Sequence, residues 1–193
     1  MEPKITLDTN CIIAIQENRD EATYIRDLLS LHRRGKIRLQ MVAIVASEKK
    51  PDGTFPTTFV EFQEKIRTLD LQDVVLLRPI GCWGISFWDW FLWADGDMSK
   101  LENEIHQVLF PISPQDHSQF CASKGVEKPY EGWLHPQWRN QKCDVLMLWG
   151  HIYHHGDIFV TSDKNFHKAS KKERLISLGA KNIVFPQDVV KLL

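Results

Sequence analysis

The fold of this chain is decided by residues 143–166, which read CDVLMLWGHIYHHGDIFVTSDKNF. Apolar side chains recur at three- and four-residue intervals over residues 145–152, which predicts an amphipathic helix with Asp144 on its first turn. After a Gly-Asp break, the apolar run at residues 158–161 predicts a strand that is buried on both faces, and Asp163 follows this strand. A helix that leads into such a strand is half of an α/β unit, so an α/β fold is expected.

A second aspartate follows a β-prone run near the amino terminus. Residues 5–10 read ITLDTN, which places Asp8 at the end of a predicted strand. Functional groups in open α/β sheets gather beyond the carboxyl ends of the strands, so Asp8 and Asp163 are expected at one edge, with Asp144 returning toward it. Three carboxylates would repel one another there unless a cation lay among them. Oxygen ligands of this kind hold hard ions such as Mg²⁺ or Mn²⁺.

The rest of the chain alternates predicted helices and strands, which favours a three-layer α/β/α sandwich around a mostly parallel sheet. A helix cap is expected at Gly179 and a short helix after Pro186. Residues 111–139 are expected to be mostly irregular. Helices are predicted over about residues 11–17, 21–34, 58–69 and 98–110, and strands over about residues 37–42, 74–80 and 182–185.

The order of these motifs resembles the PIN-domain nucleases. The matching motifs are LDTN near the amino terminus, a helix aspartate of the (K/N)xxD type at Asp144, and TSDKNF at residues 161–166. The resemblance covers residues 1–50 and 139–193 well and the middle of the chain poorly. It implies a PIN-like fold whose acidic quartet binds Mg²⁺ or Mn²⁺ and hydrolyses phosphodiester bonds, usually in RNA. An endoribonuclease acting on single-stranded RNA is therefore the expected function.

The resemblance also implies roles for individual side chains. Asn10 and Ser162 stand where family members carry polar groups that orient ligands or a scissile phosphate. The expected chemistry is hydrolysis with two divalent ions, or with one ion recruited beside the substrate. With two, one ion would lower the pKa of a bound water molecule and the other would stabilise the leaving oxygen. The implied catalytic and metal-binding residues are Asp8, Glu48, Asp144 and Asp163.

The second acidic ligand has two candidates in the sequence. Glu48 falls where the PIN pattern places it, but Pro51 interrupts the helix that family members continue past this residue. Glu61 is the competitor, although Thr58 and Glu61 have the spacing of a capping box that opens the next helix. Glu48 is preferred because the capping box already explains Glu61.

Residues 81–139 predict an insertion packed on a single domain that spans residues 1–193. This insertion contains the aromatic-rich stretch CWGISFWDWFLW. Aromatic residues this dense more often form a core or a partner surface than a platform for nucleic-acid bases. Trp90 and Trp93 are three residues apart and could share a buried helical face.

Basic and histidine side chains near Asp163 offer further candidates. Lys164, Lys168 and Lys171 could hold a phosphate backbone beside the metal site, or could form a solvated helix face. His151 and His155 are four residues apart and could face one zinc ion, but a solvated helix end is the preferred interpretation because no third ligand is evident.

Net charge, cysteine content and the length of apolar runs indicate which partners and which cellular location to expect. The net charge is −1, so no global basic field indicates nucleic acid, although a metal-dependent nuclease needs only a local basic rim. The four cysteines form no CxxC pair, which predicts reduced thiols and a cytoplasmic location. No apolar run reaches membrane-spanning length. Many small PIN-domain proteins are toxins held by a cognate antitoxin, and many form dimers, so both kinds of partner are expectations of the resemblance.

Two other functions stay open at this point. One is a catalytically silent PIN-like scaffold that binds RNA or protein, which the interrupted helix after Glu48 would favour. The other is a haloacid-dehalogenase-like phosphatase with Asp8 as its nucleophile. That chemistry usually needs an aspartate two residues further on, where this chain has Asn10.

Overall fold

A computed structural model describes residues 2–44, 58–126 and 134–193 of the chain. One five-stranded sheet lies at its centre, and every strand pair in it is parallel. The strands are β1 (Lys4–Leu7), β2 (Arg38–Val42), β3 (Val75–Leu77), β4 (Ile158–Val160) and β5 (Asn182–Val184). Their spatial order is β3-β2-β1-β4-β5.

Helices cover both faces of this sheet. They are α1 (Thr9–Gln16), α2 (Ala22–Arg33), α3 (Phe59–Thr68), α4 (Gly96–Leu109), α5 (His117–Ser123), α6 (Pro136–Tyr153), α7 (Lys164–His167) and α8 (Ala169–Leu175). A single π-type turn (Ile176–Ala180) follows α8, and a 3-10 helix (Pro186–Leu192) follows β5. None of the described helices is long and apolar enough to span a membrane.

Two hydrophobic clusters fill the spaces between the sheet and its helical layers. Ile5 and Leu7 of β1 belong to one cluster together with the apolar faces of α1, α2 and α3. Phe159 of β4 and Ile183 of β5 belong to the other, with α4, α5, α6 and α8. Because successive strand residues point to opposite faces, β4 contributes Ile158 and Val160 to the first cluster and Phe159 to the second. The predicted three-layer α/β/α sandwich with a parallel sheet is confirmed.

The longest helix differs from its prediction. Because α6 begins at Pro136, Asp144 lies in the middle of the helix, and its predicted place on the first turn is wrong. The cap of α6 is His135, whose Nδ1 accepts a hydrogen bond from the N–H of Gln137 at 3.2 Å. Histidine is not among the usual capping residues, so the sequence did not mark this start. Trp138 is buried and anchors the added turns.

The predicted insertion differs from expectation at both ends: residues 111–139 contain a helix, and the aromatic-rich stretch is not helical. Within residues 111–139, Asp116 caps α5 by accepting a hydrogen bond from the N–H of Gln119 at 3.0 Å, so the irregular segment predicted there is partly wrong. The aromatic-rich stretch forms turns instead of a helix. Trp90 is half-buried whereas Trp93 is 82% exposed, so their predicted shared helical face is also wrong.

Two details at the carboxyl-terminal end agree with the sequence. Gly179 has a φ of +111°, a left-handed conformation that glycine adopts readily where a helix ends. The predicted last strand and the helical turn after Pro186 are both present. The thiols of Cys11, Cys82, Cys121 and Cys143 are free.

Candidate active site

The candidate site lies where the order of the strands reverses. The chain builds the sheet outward from β1 through β2 to β3, then returns to place β4 and β5 on the other side of β1. Leu7 and Val160 are paired in register, so the residues that follow them leave the same edge of the sheet. A crevice at the carboxyl ends of the strands is expected at such a switch point. An open cleft of about 870 Å³ lies there, lined by Asp8, Asp144 and Asp163, and is called the acidic cleft.

Asp8 is held rigidly at the end of β1. Only 2% of its surface is exposed, and its Oδ1 accepts a hydrogen bond from the N–H of Thr9 at 2.8 Å. Its Oδ2 accepts one hydrogen bond from Thr161 Oγ1 at 2.6 Å and another from Asn10 Nδ2 at 3.1 Å. Burial raises the pKa of Asp8 to about 6, the charge of Asp163 also raises it, and the three hydrogen bonds oppose the shift.

Asp163 is attached to Asp8 through Thr161. The N–H of Asp163 donates to Thr161 Oγ1 at 3.0 Å, and the same hydroxyl donates to Asp8. Asp163 also caps α7, because its Oδ1 accepts a hydrogen bond from the N–H of Asn165 at 2.8 Å. Asp8 and Asp163 therefore both cap a helix, and Asp163 Oδ2 accepts no hydrogen bond from the described residues.

Asp144 is the exception, because no described residue donates a hydrogen bond to it. It is half-buried on α6 and lines the acidic cleft. Its pKa lies well above the usual range for a carboxyl group, first because of burial and then because of the negative charges of Asp8 and Asp163. An ionisable side chain held among like charges without a donor is an arrangement typical of functional sites.

The supporting polar residues have different surroundings. Asn10 donates a hydrogen bond from Nδ2 to Asp8 Oδ2, and its implied role toward a ligand or phosphate stays a prediction. Ser162 is half-buried and lines the cleft. Thr161 was not predicted as a site residue, although the TSD motif contains it, because a threonine at a strand end usually indicates only β propensity.

The two candidates for the second acidic ligand stand differently. Glu48 lies outside the described residues, so its role stays a prediction. The N–H of Glu61 donates to Thr58 Oγ1 at 3.2 Å, which is half of the predicted capping box. Among the described residues that line the acidic cleft, Glu61 is absent.

The three candidate lysines are not equivalent. Lys164 is exposed, lines the acidic cleft, and pairs with no carboxylate in the described parts of the chain. Lys168 is exposed on the turn that opens α8. Lys171 is already engaged, because its Nζ donates to the carbonyl of Leu109 at 2.5 Å and to Asn165 Oδ1 at 2.6 Å. Lys164 is therefore the lysine best placed to meet a phosphate.

The predicted solvated position of His151 is wrong. His151 is fully buried, with Nδ1 2.7 Å from Thr6 Oγ1 and Nε2 3.0 Å from the carbonyl of Ala180. Burial lowers the pKa of His151 to about 4, so the ring is neutral near pH 7. Because both ring nitrogens have protein partners and His155 is exposed, the geometry gives no support to a zinc site shared by the two residues.

The donor chemistry of the acidic cleft fits a hard divalent cation. All three principal side chains offer carboxylate oxygens, which Mg²⁺ and Mn²⁺ prefer. The oxygens of Asp144 and Oδ2 of Asp163 accept no hydrogen bond from the described residues and are open to a ligand. Within residues 2–44, 58–126 and 134–193, no three His, Cys, Asp or Glu side chains are already arranged to hold a metal ion.

An exposed group of aromatic side chains lies in the insertion. Trp83, Trp88, Phe91 and Trp93 form this aromatic surface, with neighbouring ring centroids 5.2, 6.0 and 4.9 Å apart and steep angles between the rings. The three tryptophans are 68%, 68% and 82% exposed in chain order. An apolar cavity of about 330 Å³ lies among them. Large exposed aromatic groups of this kind are typical of partner surfaces.

Comparison of the chain with protein-family models, with curated proteins and with solved structures found no significant match. Its chemistry is therefore inferred from its own residues and their geometry.

Proposed function

We propose that this chain is a Mg²⁺- or Mn²⁺-dependent phosphodiesterase, an endoribonuclease that cleaves single-stranded RNA by two-metal-ion hydrolysis. The observation that carries the proposal is Asp144, a half-buried carboxyl group that lines the cleft with Asp8 and Asp163 and accepts no hydrogen bond from residues 2–44, 58–126 and 134–193. A structural carboxylate would acquire donors, as Asp8 has done. A divalent cation would relieve the repulsion within the group and occupy the open oxygens.

The three aspartates differ in how firmly the protein holds them. Asp8 is fixed by its three hydrogen bonds and would act as the rigid ligand, while Asp163 keeps one oxygen in the cap of α7 and offers the other. Asp144 has no such restraint and would adjust to the ion. The ions, when bound, supply an activated water and stabilise the leaving oxygen of the phosphodiester.

The acidic cleft is negatively charged, so an anionic substrate is expected to bind there only together with divalent cations. Lys164 lines the rim and has no carboxylate partner among the residues that the structure describes, whereas Arg19, which also lines it, is paired with Glu17 at 2.6 Å. One lysine cannot hold a polyanion against three aspartates. Substrate affinity is therefore expected to depend on the divalent ions as well as on the lysine.

The partner predictions remain proposals that rest on the motif resemblance and on the aromatic surface. Between residues 79 and 99 the only charged side chains are acidic, namely Asp89, Asp95 and Asp97. An acidic, aromatic surface suits a basic protein segment such as part of an antitoxin, and it disfavours RNA, whose phosphates it would repel. A homodimer and a cytoplasmic location stay predictions.

A catalytically silent scaffold is the second candidate function. The sequence feature that favours it is Pro51, which interrupts the predicted helix soon after Glu48. A scaffold would bind RNA or protein without dependence on divalent ions, so metal dependence separates the two candidates.

The test is cleavage of a labelled single-stranded RNA in Mn²⁺, Mg²⁺ or chelator. We expect cutting in Mn²⁺ or Mg²⁺, and a loss of at least about 100-fold in kcat/KM for Asp8→Asn. Asparagine caps a helix as well as aspartate does, so the variant should fold. Asp95→Asn is the matched control, because Asp95 also caps a helix but lies outside the acidic cleft.

The contrary result has two parts. RNA that stays intact in both ions, together with no heat of Mn²⁺ binding in calorimetry, would replace the nuclease with the scaffold. Cleavage that survives in chelator would also contradict the proposal.

A further inference from the structure

A second cleft joins the acidic cleft at its carboxylates. Its volume is about 550 Å³, and Asp144 and Asp163 line both cavities. Its far wall is the segment 109–114, which lies in the predicted insertion, and its near wall is the outer face of α6. This second cavity is called the flanking groove. A chain molecule that places one bond at the carboxylates can therefore continue into it.

The walls of the flanking groove combine apolar and amide groups. Phe110, Pro111 and Ile112 form an apolar wall, in which Ile112 is 98% exposed. Gln137 and Gln141 line the groove from α6. Gln141 Oε1 accepts a hydrogen bond from Ser113 Oγ at 2.7 Å, which orients the amide and leaves its NH₂ group without an acceptor among the described residues.

These walls match one chemical group of a nucleotide better than the others. A nucleobase has two apolar faces, which pack on apolar or aromatic side chains, and polar edges, which amides can contact. Two lysines also line the groove, but Lys171 Nζ is already hydrogen-bonded to Leu109 and Asn165, and Lys124 Nζ lies 5.5 Å from the ring centroid of Phe120. The apolar wall itself offers a phosphate no cation, and the shared aspartates would repel it. We infer that the flanking groove binds the base of the nucleotide next to the scissile phosphate. This inference rests on the proposed nuclease function.

A short series of hydrogen bonds fixes the groove to the acidic cleft. Asp163 Oδ1 accepts from the N–H of Asn165, and Asn165 Oδ1 accepts from Lys171 Nζ at 2.6 Å. The same Nζ donates to the carbonyl of Leu109, where the apolar wall begins, and lies 5.9 Å from the ring centroid of Phe110. Lys171 is thus a positioning residue that holds the wall at a set distance from Asp163.

The test uses RNA substrates that each lack one base. The cleavage position is first mapped on the intact RNA in Mn²⁺, and an abasic nucleotide is then placed at each position around it. We expect one abasic position beside the cut to lower kcat/KM by about tenfold, since stacking of one base contributes about 1–3 kcal/mol. Abasic sites further away should lower it less than about twofold.

A variant links this loss to the groove. Ile112→Ser should cut the intact RNA about fivefold more slowly. At the sensitive position, the abasic substitution should lower the logarithm of kcat/KM in this variant by less than half as much as in the unmodified protein. Val190→Ser is the matched control, because Val190 is also an exposed apolar residue (57%) and lines neither cavity.

The outcomes separate this inference from the proposed function. Equal cutting of all abasic substrates, or the same abasic penalty in Ile112→Ser as in the unmodified protein, would overturn the groove assignment while the nuclease stands. No metal-dependent cutting of any RNA would overturn the nuclease and the groove assignment with it.

Discussion

The hydroxyl group of Thr161 donates a 2.6 Å hydrogen bond to Oδ2 of Asp8, although the two residues are 153 positions apart in the chain. The hydroxyl also accepts the N–H of Asp163 at 3.0 Å. Thr161 therefore sets the spacing of the two strand-end carboxylates through one oxygen atom.

Removing this hydroxyl should affect both stability and activity. In Thr161→Val, Asp8 keeps its burial but loses its shortest hydrogen bond, so the free energy of unfolding should fall by about 1–3 kcal/mol. Cleavage in Mn²⁺ should fall by roughly tenfold or more, because Asp8 and Asp163 lose their common anchor. Urea unfolding and RNA cleavage are the measurements. Thr161→Ser keeps the hydroxyl and should retain most of both properties; equal behaviour of the two variants would refute the role assigned here.

Asp144 should cost stability in exchange for function. Asp144→Asn removes a negative charge that has no hydrogen-bond donor in the described part of the chain and lies near two others, so in chelator the melting temperature should rise by about 2–4 °C. RNA cleavage should fall at least about 100-fold, and Mn²⁺ should stabilise the variant less than the unmodified protein. Differential scanning fluorimetry with and without Mn²⁺ measures both effects.

Asp157 is the control for Asp144, because its substitution by asparagine should change the melting temperature in the opposite direction. Asp157 Oδ2 accepts a hydrogen bond from the N–H of Lys4 at 2.9 Å, and its Oδ1 accepts one from Lys181 at 2.6 Å. Asp157→Asn should therefore lower the melting temperature. A fall for Asp144→Asn as well would show that Asp144 is a structural carboxylate.

His151 should make stability depend on pH in a known direction. Its pKa is about 4 in the folded chain, because of burial, and about 6.5 when unfolded, so between these values the unfolded chain binds more protons. Stability from His151 is therefore complete above about pH 6.5 and is lost as the pH falls toward 4, by about 3 kcal/mol in total. Asp8 acts in the opposite direction, since its raised pKa of about 6 makes stability fall as the pH rises from about 4 to 6.

The two opposing effects can be separated with His151→Gln. The difference in unfolding free energy between the unmodified protein and this variant should grow by about 3 kcal/mol between pH 4 and pH 6.5. Urea unfolding at half-unit pH steps measures it. A difference that stays flat over this range would mean that the ring titrates normally.

The aromatic stretch should contain one structural tryptophan and one that is free for a partner. Trp90 stacks on Phe59 with centroids 4.2 Å apart, and the guanidinium of Arg78 lies 4.4 Å above its ring. Trp90→Ser should therefore lower the free energy of unfolding by about 2 kcal/mol or more. Trp93→Ser should change it by less than about 0.5 kcal/mol, because Trp93 is 82% exposed. Urea unfolding compares the pair, and similar losses would contradict this division.

The sequence predicted the sheet better than the helices around the site. Strand ends were predictable because short apolar runs are followed at once by aspartate, as at Asp8 and Asp163. The start of α6 was hidden because its cap is His135, and Asp144 was misplaced for that reason. The positions of the strands could be predicted from the local sequence pattern. The start of α6 could be seen only in the structure, because its capping residue is an unusual one.

Residues whose partners come from distant elements could not be assigned from the sequence. His151 bonds Thr6 on β1 and Ala180 near β5, and in the sequence it was only one of three histidines near a helix end. Thr161 acquired its role through Asp8, 153 positions away. In both cases the polar side chain has apolar neighbours in the sequence, and its hydrogen-bond partner comes from another element of the sheet.

The link through Lys171 has a consequence for how this protein could be re-engineered. Leu109, where the wall of the flanking groove begins, is tied to the α7–α8 region by one ammonium group, while the carboxylates are fixed by Thr161, Asn10 and the helix caps. Leu109 is buried in the core and Ser113 is bonded to Gln141, so Pro111 and Ile112 are the exposed positions of this segment that can be exchanged while the hydrogen bonds around Asp8 and Asp163 stay in place. If the proposed nuclease and its base-binding groove are correct, substitutions at these two residues would change the base preference and leave the carboxylates that cleave the bond unaltered.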